Sequence, residues 1–349
     1  MNSIYALTDY KNYFGSKWKS MPYRSGFDKD LITKYLHYYN YEINFISLND
    51  VSFNNNLLKE KVVIYTSSEE YGYHYKNFIE DIIFGLVQYG SKVVPHYSFL
   101  RAHNNKVFME ILRDRLLGKK YSGNKSNVYG TLEELERDID KNKMSYPCVI
   151  KSSAGAMSRG VFLANNENEL KKIVKKISRT PHFIYEIKEI MREYKHKDYK
   201  KESKYQSKFI IQPFIPGLKN DWKILIFGDH YYILKRGIKG NDFRASGSHH
   251  EYKAGSEAEF PIHKLDLIKE IYEKLDVPHL SLDVAYDGSR IYIHEFQAVY
   301  FGTSTHEFCD GYYTKKGDKW VFKKKELDQE GEYVWGLVHY FRRNPELFK

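Results

Sequence analysis

The sequence predicts an α/β (α+β) chain, with a parallel α/β layer first and antiparallel sheets after it. Two patterns carry that prediction. Over the first 100 residues, short apolar strands alternate with amphipathic helices, the signature of a parallel sheet. From Pro147 onward the strands come in close succession, as antiparallel neighbours do. A third observation limits the class: no apolar run approaches the roughly 18 residues that a membrane helix needs.

The elements follow in order. Ser3 to Leu7 reads as a strand, Asp28 to Tyr39 as a helix and Tyr41 to Leu48 as a second strand. Lys61 to Thr66 is apolar and β-branched, so a buried strand. Tyr75, Phe78, Ile79, Ile82, Ile83 and Leu86 recur at helical spacing, and Gly90 stops that helix. Val93, Val94 and Tyr97 suggest a further strand, while Lys11 to Phe27 has no period and reads as a long loop. Asn104 is the expected cap of a helix running to Leu117, with Val107, Phe108, Ile111 and Leu112 as its apolar face. Thr131 and Glu134 form a capping box for a helix to about Asn142. Pro147 to Lys151 and Val161 to Ala164 are strands flanking a small-residue loop. Asn168 to Ser178 is a basic amphipathic helix, and Phe183 to Lys208 is partly helical. Phe209 to Ile215, Asp221 to Phe227 and Tyr231 to Arg236 are expected to share one antiparallel sheet. Leu265 to Leu275 is a helix, Leu280 to Tyr286 and Arg290 to Val299 a hairpin, and Val334 to Arg342 an aromatic helix.

Composition narrows the partners. The 349 residues correspond to roughly two domains. Lys and Arg outnumber Asp and Glu by 55 to 45, and the resulting charge of +10 favours an anionic partner. Cys148 and Cys309 are too few for a disulfide framework or a cysteine zinc site. Met1 to Phe14 lacks the pattern of a secretory signal, so the expectation is a cytoplasmic protein with no membrane partner.

Three segments carry chemistry. Lys151 ends a strand and opens the loop Ser152 to Gly160, whose small residues let backbone N–H groups approach phosphate oxygens. A plain hairpin turn explains the same residues. In the hairpin after Leu280, alternation puts Ile291, Ile293, Glu295 and Gln297 on one face, with Tyr292, His294 and Phe296 on the other. Asp283 is expected opposite Glu295. Two carboxylates and an amide oxygen make a hard, oxygen-only set suited to magnesium. Lys235 and Arg236 precede a Gly/Ser loop holding Asp242, Phe243 and Arg244, where arginine suits bidentate contact to phosphate oxygens.

In their order along the chain these residues resemble the ATP-grasp superfamily, over about Lys106 to Gly302. The segments are Asn105-Lys106 opening a helix, VIK-SSAGAMSRGV, FIIQPFI, DWKILIFG, RGIKGNDFRASGS, LDVAYDG and HEFQAVYFG. The Asp-Phe-Arg loop and the Leu-Asp-Val strand are most similar to the amino-acid ligases of that group, such as the ligase that adds glutamates to a ribosomal protein. The resemblance implies residues 1–103 as an α/β domain preceding the grasp fold, and residues 104–349 as the grasp domain. The latter divides into a lid subdomain over 104–210 and a metal-bearing subdomain over 211–349. It implies ATP and one or two magnesium ions. Lys106 and Lys151 match the phosphate-holding lysines, and Ser152, Ser153, Gly155, Ser158 and Gly160 the lid loop. Ile211 and Gln212 match the adenine hinge, with Phe214 and Ile215 nearby, and Asp221 the ribose contact. Asp283, Glu295 and Gln297 match the metal ligands, and Arg244 an arginine near the transferred phosphate. Two departures stand out. The family usually has Asn where Gln297 stands. An arginine common before the first metal strand is replaced by Pro278-His279-Leu280, so Lys235, Arg236 or Arg244 must supply its charge.

The implied activity is ATP-dependent ligation of a small or peptidic carboxylate to an amine through an acyl phosphate. A kinase of the same fold, phosphorylating a hydroxyl, shares the ATP half. A basic nucleic-acid-binding module would draw on the Lys/Tyr-rich stretch Tyr194 to Tyr205. Asp198 and Glu202 within that stretch weigh against nucleic acid. His249-His250, the one adjacent histidine pair, reads as a solvated loop. A homodimer is compatible with the sequence, and the identity of the substrates is not written in it.

Overall fold

The computed structural model describes the chain apart from residues 24, 119–120, 122–124, 156–159, 181, 241 and 246–249. The first layer is a parallel sheet. β1 (Asn2–Thr8) is followed by α1 (Lys29–Tyr38), β2 (Tyr41–Ser47), β3 (Val62–Tyr65), α2 (His74–Tyr89) and β4 (Lys92–Val94). The strand order is β2-β1-β3-β4 and every pairing is parallel. Both faces are covered, which is why β3 reads Val-Val-Ile-Tyr without alternation. Val63 and Tyr65 pack with Ile79, Ile83 and Leu86 of α2, while Ile4, Ala6, Val62 and Ile64 face α1. The expected strand at Tyr97 stops at Val94; Tyr97 instead opens α3 (Tyr97–Ala102), capped by His96. Among its described residues the Lys11 to Phe27 segment contains neither helix nor strand, and it buries Phe14 and Phe27 against the first sheet.

α4 (Lys106–Leu117) begins one residue later than expected, because Asn105 accepts from the Phe108 N–H, while Asn104 adopts a positive φ. Its buried stripe is also different. Met109, Leu112 and Leu117 are buried together with the charged Lys106, Glu110 and Arg113, while Ile111 is exposed. Of this charged stripe Lys106 lines the cleft described below, while Glu110 and Arg113 pair with each other behind it, so apolar periodicity alone misplaces the helix face. β5 (Asn127–Tyr129), α5 (Leu132–Asp140), β6 (Cys148–Ser152), β7 (Val161–Ala164), α6 (Glu167–Ser178) and α7 (Phe183–Lys195) follow. The Thr131/Glu134 capping box is present. β8 (Phe209–Pro213) completes a four-stranded antiparallel sheet in the order β5-β8-β6-β7.

β8 therefore does not share a sheet with the strands after it. β9 (Asn220–Phe227), β10 (His230–Gly237), β11 (Lys253–Ala254), α8 (Leu265–Leu275), β12 (His279–Tyr286) and β13 (Ile291–Gln297) build the larger sheet. α9 (Ser304–Phe308) leads to β14 (Gly311–Lys316) and β15 (Lys319–Lys324), a hairpin that the sequence reading missed. The order is β13-β12-β9-β10-β14-β15, with β11 on β10. One face of this sheet packs on α4 and α8.

α10 (Gln329–Arg343) returns to the parallel sheet, where Val334, Leu337, Val338 and Phe341 join the core between it and α1. His279, at the start of β12, stacks on Tyr333 of α10 at 4.2 Å and donates to its carbonyl oxygen at 2.7 Å. Gly336 makes this possible, since a Cβ there would stand 2.5 Å from the imidazole. Burial lowers the His279 pKa to about 4. Burial, aided by Lys325, lowers that of His306 to about 3. Both histidines are thus neutral in the folded chain, while in the unfolded chain they bind protons near pH 6.5. Their contribution is complete above about pH 6.5 and is lost as the pH falls toward 4. For His279 alone the loss is on the order of 3 kcal/mol. Urea unfolding at pH 7.5 and 4.5 is expected to show a smaller difference for His279→Gln than for the parent.

Candidate active site

The two antiparallel sheets meet at a cleft enclosing about 950 Å³, mouth included. Its floor is the hairpin β12–β13. Asp283 pairs directly with Glu295 in the ladder, as the connection length suggested. The next pair is Val284 with Ile293, so His294 is an extra residue on β13 and forms a β-bulge. The bulge reverses the alternation expected from the sequence. Ile291, Ile293 and Phe296 all enter the core beneath the sheet, whereas His294 and Glu295 both line the cleft. The four residues expected on one face are therefore divided. Burial and the nearby Lys151 cation depress the His294 pKa to about 3, so the ring is neutral.

Arg236, from β10, governs the charge of this floor. It lies opposite Asp221 in the ladder and binds it in a two-pronged pair, Nε to Oδ1 at 2.7 Å and Nη2 to Oδ2 at 2.8 Å. The same Nη2 donates to Asp283 Oδ2 at 2.9 Å. Burial pushes Asp221 up to about 6 despite that pairing. Burial opposes ionisation of Asp283 too, but Arg236 and Lys223 outweigh it and hold the carboxyl at about 2. Asp283 Oδ1 is buried without a hydrogen-bond partner, and Lys223 Nζ stands 3.7 Å away.

The opposite wall comes from α4, β6 and β8. Lys106 Nζ donates to the Gly155 carbonyl oxygen at 2.8 Å, which ties the first turn of α4 to the small-residue loop. The Ser153 hydroxyl donates to Asn105 Oδ1, and the Lys106 N–H to the Ser153 oxygen, so the loop base is fixed to the helix cap. At the far end of the loop, Gly160 has φ +86° and accepts from the Ser152 N–H; a Cβ would meet the Ser152 hydroxyl at 2.7 Å. Lys151 is half-buried at the end of β6, and desolvation lowers its pKa. Behind it Glu110 pairs with Arg113 at 2.6 Å and accepts from the Ser126 hydroxyl. Burial raises the Glu110 pKa against that pairing.

The remaining lining is apolar: Val149, Val161, Phe214, Leu218, Ile238 and Phe243. Phe214 and Phe243 meet edge to face at 6.3 Å, closing one end. The cleft thus has an apolar slot beside a charged end where cations and carboxylates confront each other. That arrangement suits a flat heterocycle joined to a polyanion.

Comparison with known proteins agrees with this geometry. Residues 112–250 match the RimK-like ATP-grasp domain. That stretch, under half of the chain, carries the likeness to ATP-grasp domains. The matched stretch ends before the Asp283–Glu295 hairpin, but solved ATP-grasp structures superpose over nearly the whole chain. D-cycloserine synthetase DcsG is 10% identical with a TM-score of 0.54, covering 97% of this chain and 99% of its own. A RiPP-associated ATP-grasp ligase from Chryseobacterium gregarium, solved with ADP and a leader and core peptide, is 12% identical with a TM-score of 0.53, covering 99% and 97%. A RimK domain protein from Sphaerobacter thermophilus is 13% identical with a TM-score of 0.50, covering 97% and 98%. At such identities the likeness is one of fold. A search by sequence among curated proteins found no match.

Within this cleft the residues expected from sequence are only partly assembled. Lys106, Lys151, Gly155, Gln212, Phe214, Ile215, Asp221, Arg244, Asp283 and Glu295 line it. Arg236 reaches it through Asp283, and Gln297 lies beside Glu295, its amide donating to Oε1 at 3.3 Å. Ile211 does not line the cleft: strand alternation sends it into the small-sheet core. Gln212 faces the cleft, but its amide donates to Ser126 and Glu110, so it braces α4 against β8. Ser152, Ser153 and Gly160 shape the loop without lining the cleft, and Ser158 lies outside the described residues. Lys235 is displaced, because alternation turns it away from Arg236 and it pairs with Glu259. Of the three candidates for the missing arginine's charge, Arg236 is the one that bonds Asp283. Arg244 lines the mouth and is held by Asp242 at 2.8 Å. The sequence reading missed Glu110, Arg113, Ser126 and His294, and named Phe243 only as part of its loop. The i,i+3 spacing of Glu110 and Arg113 on α4 was the available signal for that pair; the role of His294 depends on the bulge.

Among the described residues no three His, Cys, Asp or Glu side chains gather into a metal-binding group. The floor nevertheless fits a hard cation. It presents two ladder-paired carboxylates and the nearby Gln297 amide, and one buried Asp283 oxygen lacks a hydrogen-bond donor. Among the described residues no helix is long and apolar enough to cross a membrane.

Proposed function

We propose that the protein is an ATP-dependent ligase that joins a small or peptidic carboxylate to an amine acceptor through an acyl phosphate. The observation that carries this reading is the opposition of Lys106 and Lys151 to the Asp283–Glu295 pair across one cleft that also has an apolar slot. In the proposed reaction the substrate carboxylate attacks the γ-phosphorus of ATP and ADP leaves. The amine then attacks the acyl carbon, and phosphate departs as the amine sheds a proton. Lys106 and Lys151 neutralise phosphate oxygens. Lys151 does so from a half-buried position, where a fixed charge acts more strongly than in water. Arg236 holds Asp283 ionised and aimed. Magnesium, which Asp283, Glu295 and Gln297 would hold, supplies charge neutralisation of the triphosphate when bound. Phe214, Phe243, Val149 and Val161 enclose the base, and Arg244 at the mouth is placed to meet the transferred phosphoryl or acyl group. Solvent exclusion protects the acyl phosphate from hydrolysis.

A product assay tests the reading. Purified protein with ATP, magnesium and pools of carboxylates and amines should release ADP and phosphate together with an amide. ADP with a stable phosphorylated product would mean a kinase instead. The slot makes its own prediction. Phe243→Ala should weaken ATP binding by about 1–3 kcal/mol, the usual worth of an aromatic contact to a base. Calorimetric titration with ATP would measure it, and unchanged affinity would remove Phe243 from the base site.

A further inference from the structure

Beyond the cleft, α7 is folded inside out. Its buried residue is Glu189, held by Arg192, by Tyr199 and by the Glu202 N–H. Its apolar residues Phe183, Ile184, Ile187, Ile190, Met191 and Tyr194 are all exposed. They recur at i, i+1, i+4, i+7, i+8 and i+11, and so form one stripe along a helix about 20 Å long. Phe183 is 78% exposed and Tyr194 92%, so both ends of the stripe stand proud of the surface. A single exposed apolar residue is ordinary, but a contiguous stripe marks an interaction surface.

The rim of the stripe decides what covers it. Lys188 and Lys195 border one edge and have no carboxylate partner among the described residues. Glu186 and Glu193 border the other, but Arg179 and Lys204 neutralise the first and Lys201 the second. The Lys/Tyr-rich segment after α7 is thus engaged in bracing the helix: Tyr199 bonds Glu189, and Lys201 and Lys204 cancel its acids. The rim that remains is basic. An antiparallel pairing with a second copy of the chain would set one basic rim against another. An apolar crest with aromatic ends and a lysine border matches instead a sheet of anionic headgroups over hydrocarbon.

We propose that α7 docks the protein peripherally on an anionic lipid surface, its apolar stripe entering the headgroup layer. This departs from the sequence expectation of no membrane partner, which rested on the absence of a spanning segment. The proposal stands whether or not the ligase reading holds.

Flotation of the full chain with phosphatidylglycerol/phosphatidylcholine vesicles, and with phosphatidylcholine alone, tests the proposal. Binding is expected to the anionic vesicles and to weaken as salt is raised. Ile187→Glu with Ile190→Glu should reduce it by at least about tenfold, and Lys188→Glu with Lys195→Glu should do the same while leaving every apolar residue in place. All four positions are exposed, so thermal unfolding should stay near the parent's. Absence of flotation with either vesicle would overturn the proposal, as would undiminished flotation of the double glutamate variants. A parent dimer that Ile187→Glu with Ile190→Glu converts to monomer would assign the stripe to a second copy and overturn it equally.

Discussion

Asp283→Asn is expected to reduce ATP turnover on the order of a thousandfold, several kcal/mol of lost charge stabilisation, while the fold survives. The substitution is isosteric and keeps an oxygen for the Arg236 bond. It removes the negative charge that a cation needs and puts an amide beside Arg236 and Lys223. Arg236 still has Asp221 as its partner, so no buried charge is orphaned. Thermal unfolding with ATP, with and without magnesium, separates binding from chemistry. A ligand at a hundredfold excess over its Kd stabilises the native state by about 2.7 kcal/mol. The magnesium-dependent part of that gain should vanish in Asp283→Asn, and likewise in Glu295→Gln. Full turnover by the variant carrying both changes would refute the metal assignment.

Arg236→Met should be the most destabilising single change near the cleft, costing about 3–5 kcal/mol. Arg236 is buried and bonds the buried Asp221 and the half-buried Asp283, and methionine leaves both without this cation. The deficit relative to the parent should be larger at pH 8 than at pH 5. Without Arg236 both carboxyl pKa values rise above their unfolded values, so folding takes up protons. Stability is then retained at low pH and lost as the pH rises. Adding Asp221→Leu should recover part of the loss, because one of the two stranded charges is gone. Equal stability of Arg236→Met and the parent across that pH range would mean that the pair contributes nothing net. Chemical denaturation at both pH values measures the difference.

These two predictions show where sequence reasoning reached and where it stopped. Asp283 and Glu295 were found from linear spacing, since ladder partners in a tight hairpin follow from connection length alone. Their neighbour His294 was assigned to the wrong face, because one extra residue in a strand inverts everything beyond it. Arg236 was only one of three candidates until the ladder set it against Asp221. Ile211 and Gln212 lay on the right strand, but their side chains serve the small core and the α4 brace. The face of α4 was misread for a related reason. Apolar periodicity assumes that burial means hydrocarbon, and this helix buries Lys106 at the cleft and the Glu110–Arg113 pair behind it.

Local order was determined by the sequence itself. The parallel layer, the capping box at Thr131, the termination of α2 at Gly90 and the Asp283–Glu295 pairing depend on residues close in the chain, whose propensities and spacings act over a few ångströms. Tertiary structure alone decided which strands share a sheet, which cation serves Asp283, how α10 returns to the first sheet and which face of α7 is left uncovered. Those outcomes join residues up to hundreds of positions apart. They are set by competition among alternative partners for the same buried space and charge, and linear spacing does not record that competition.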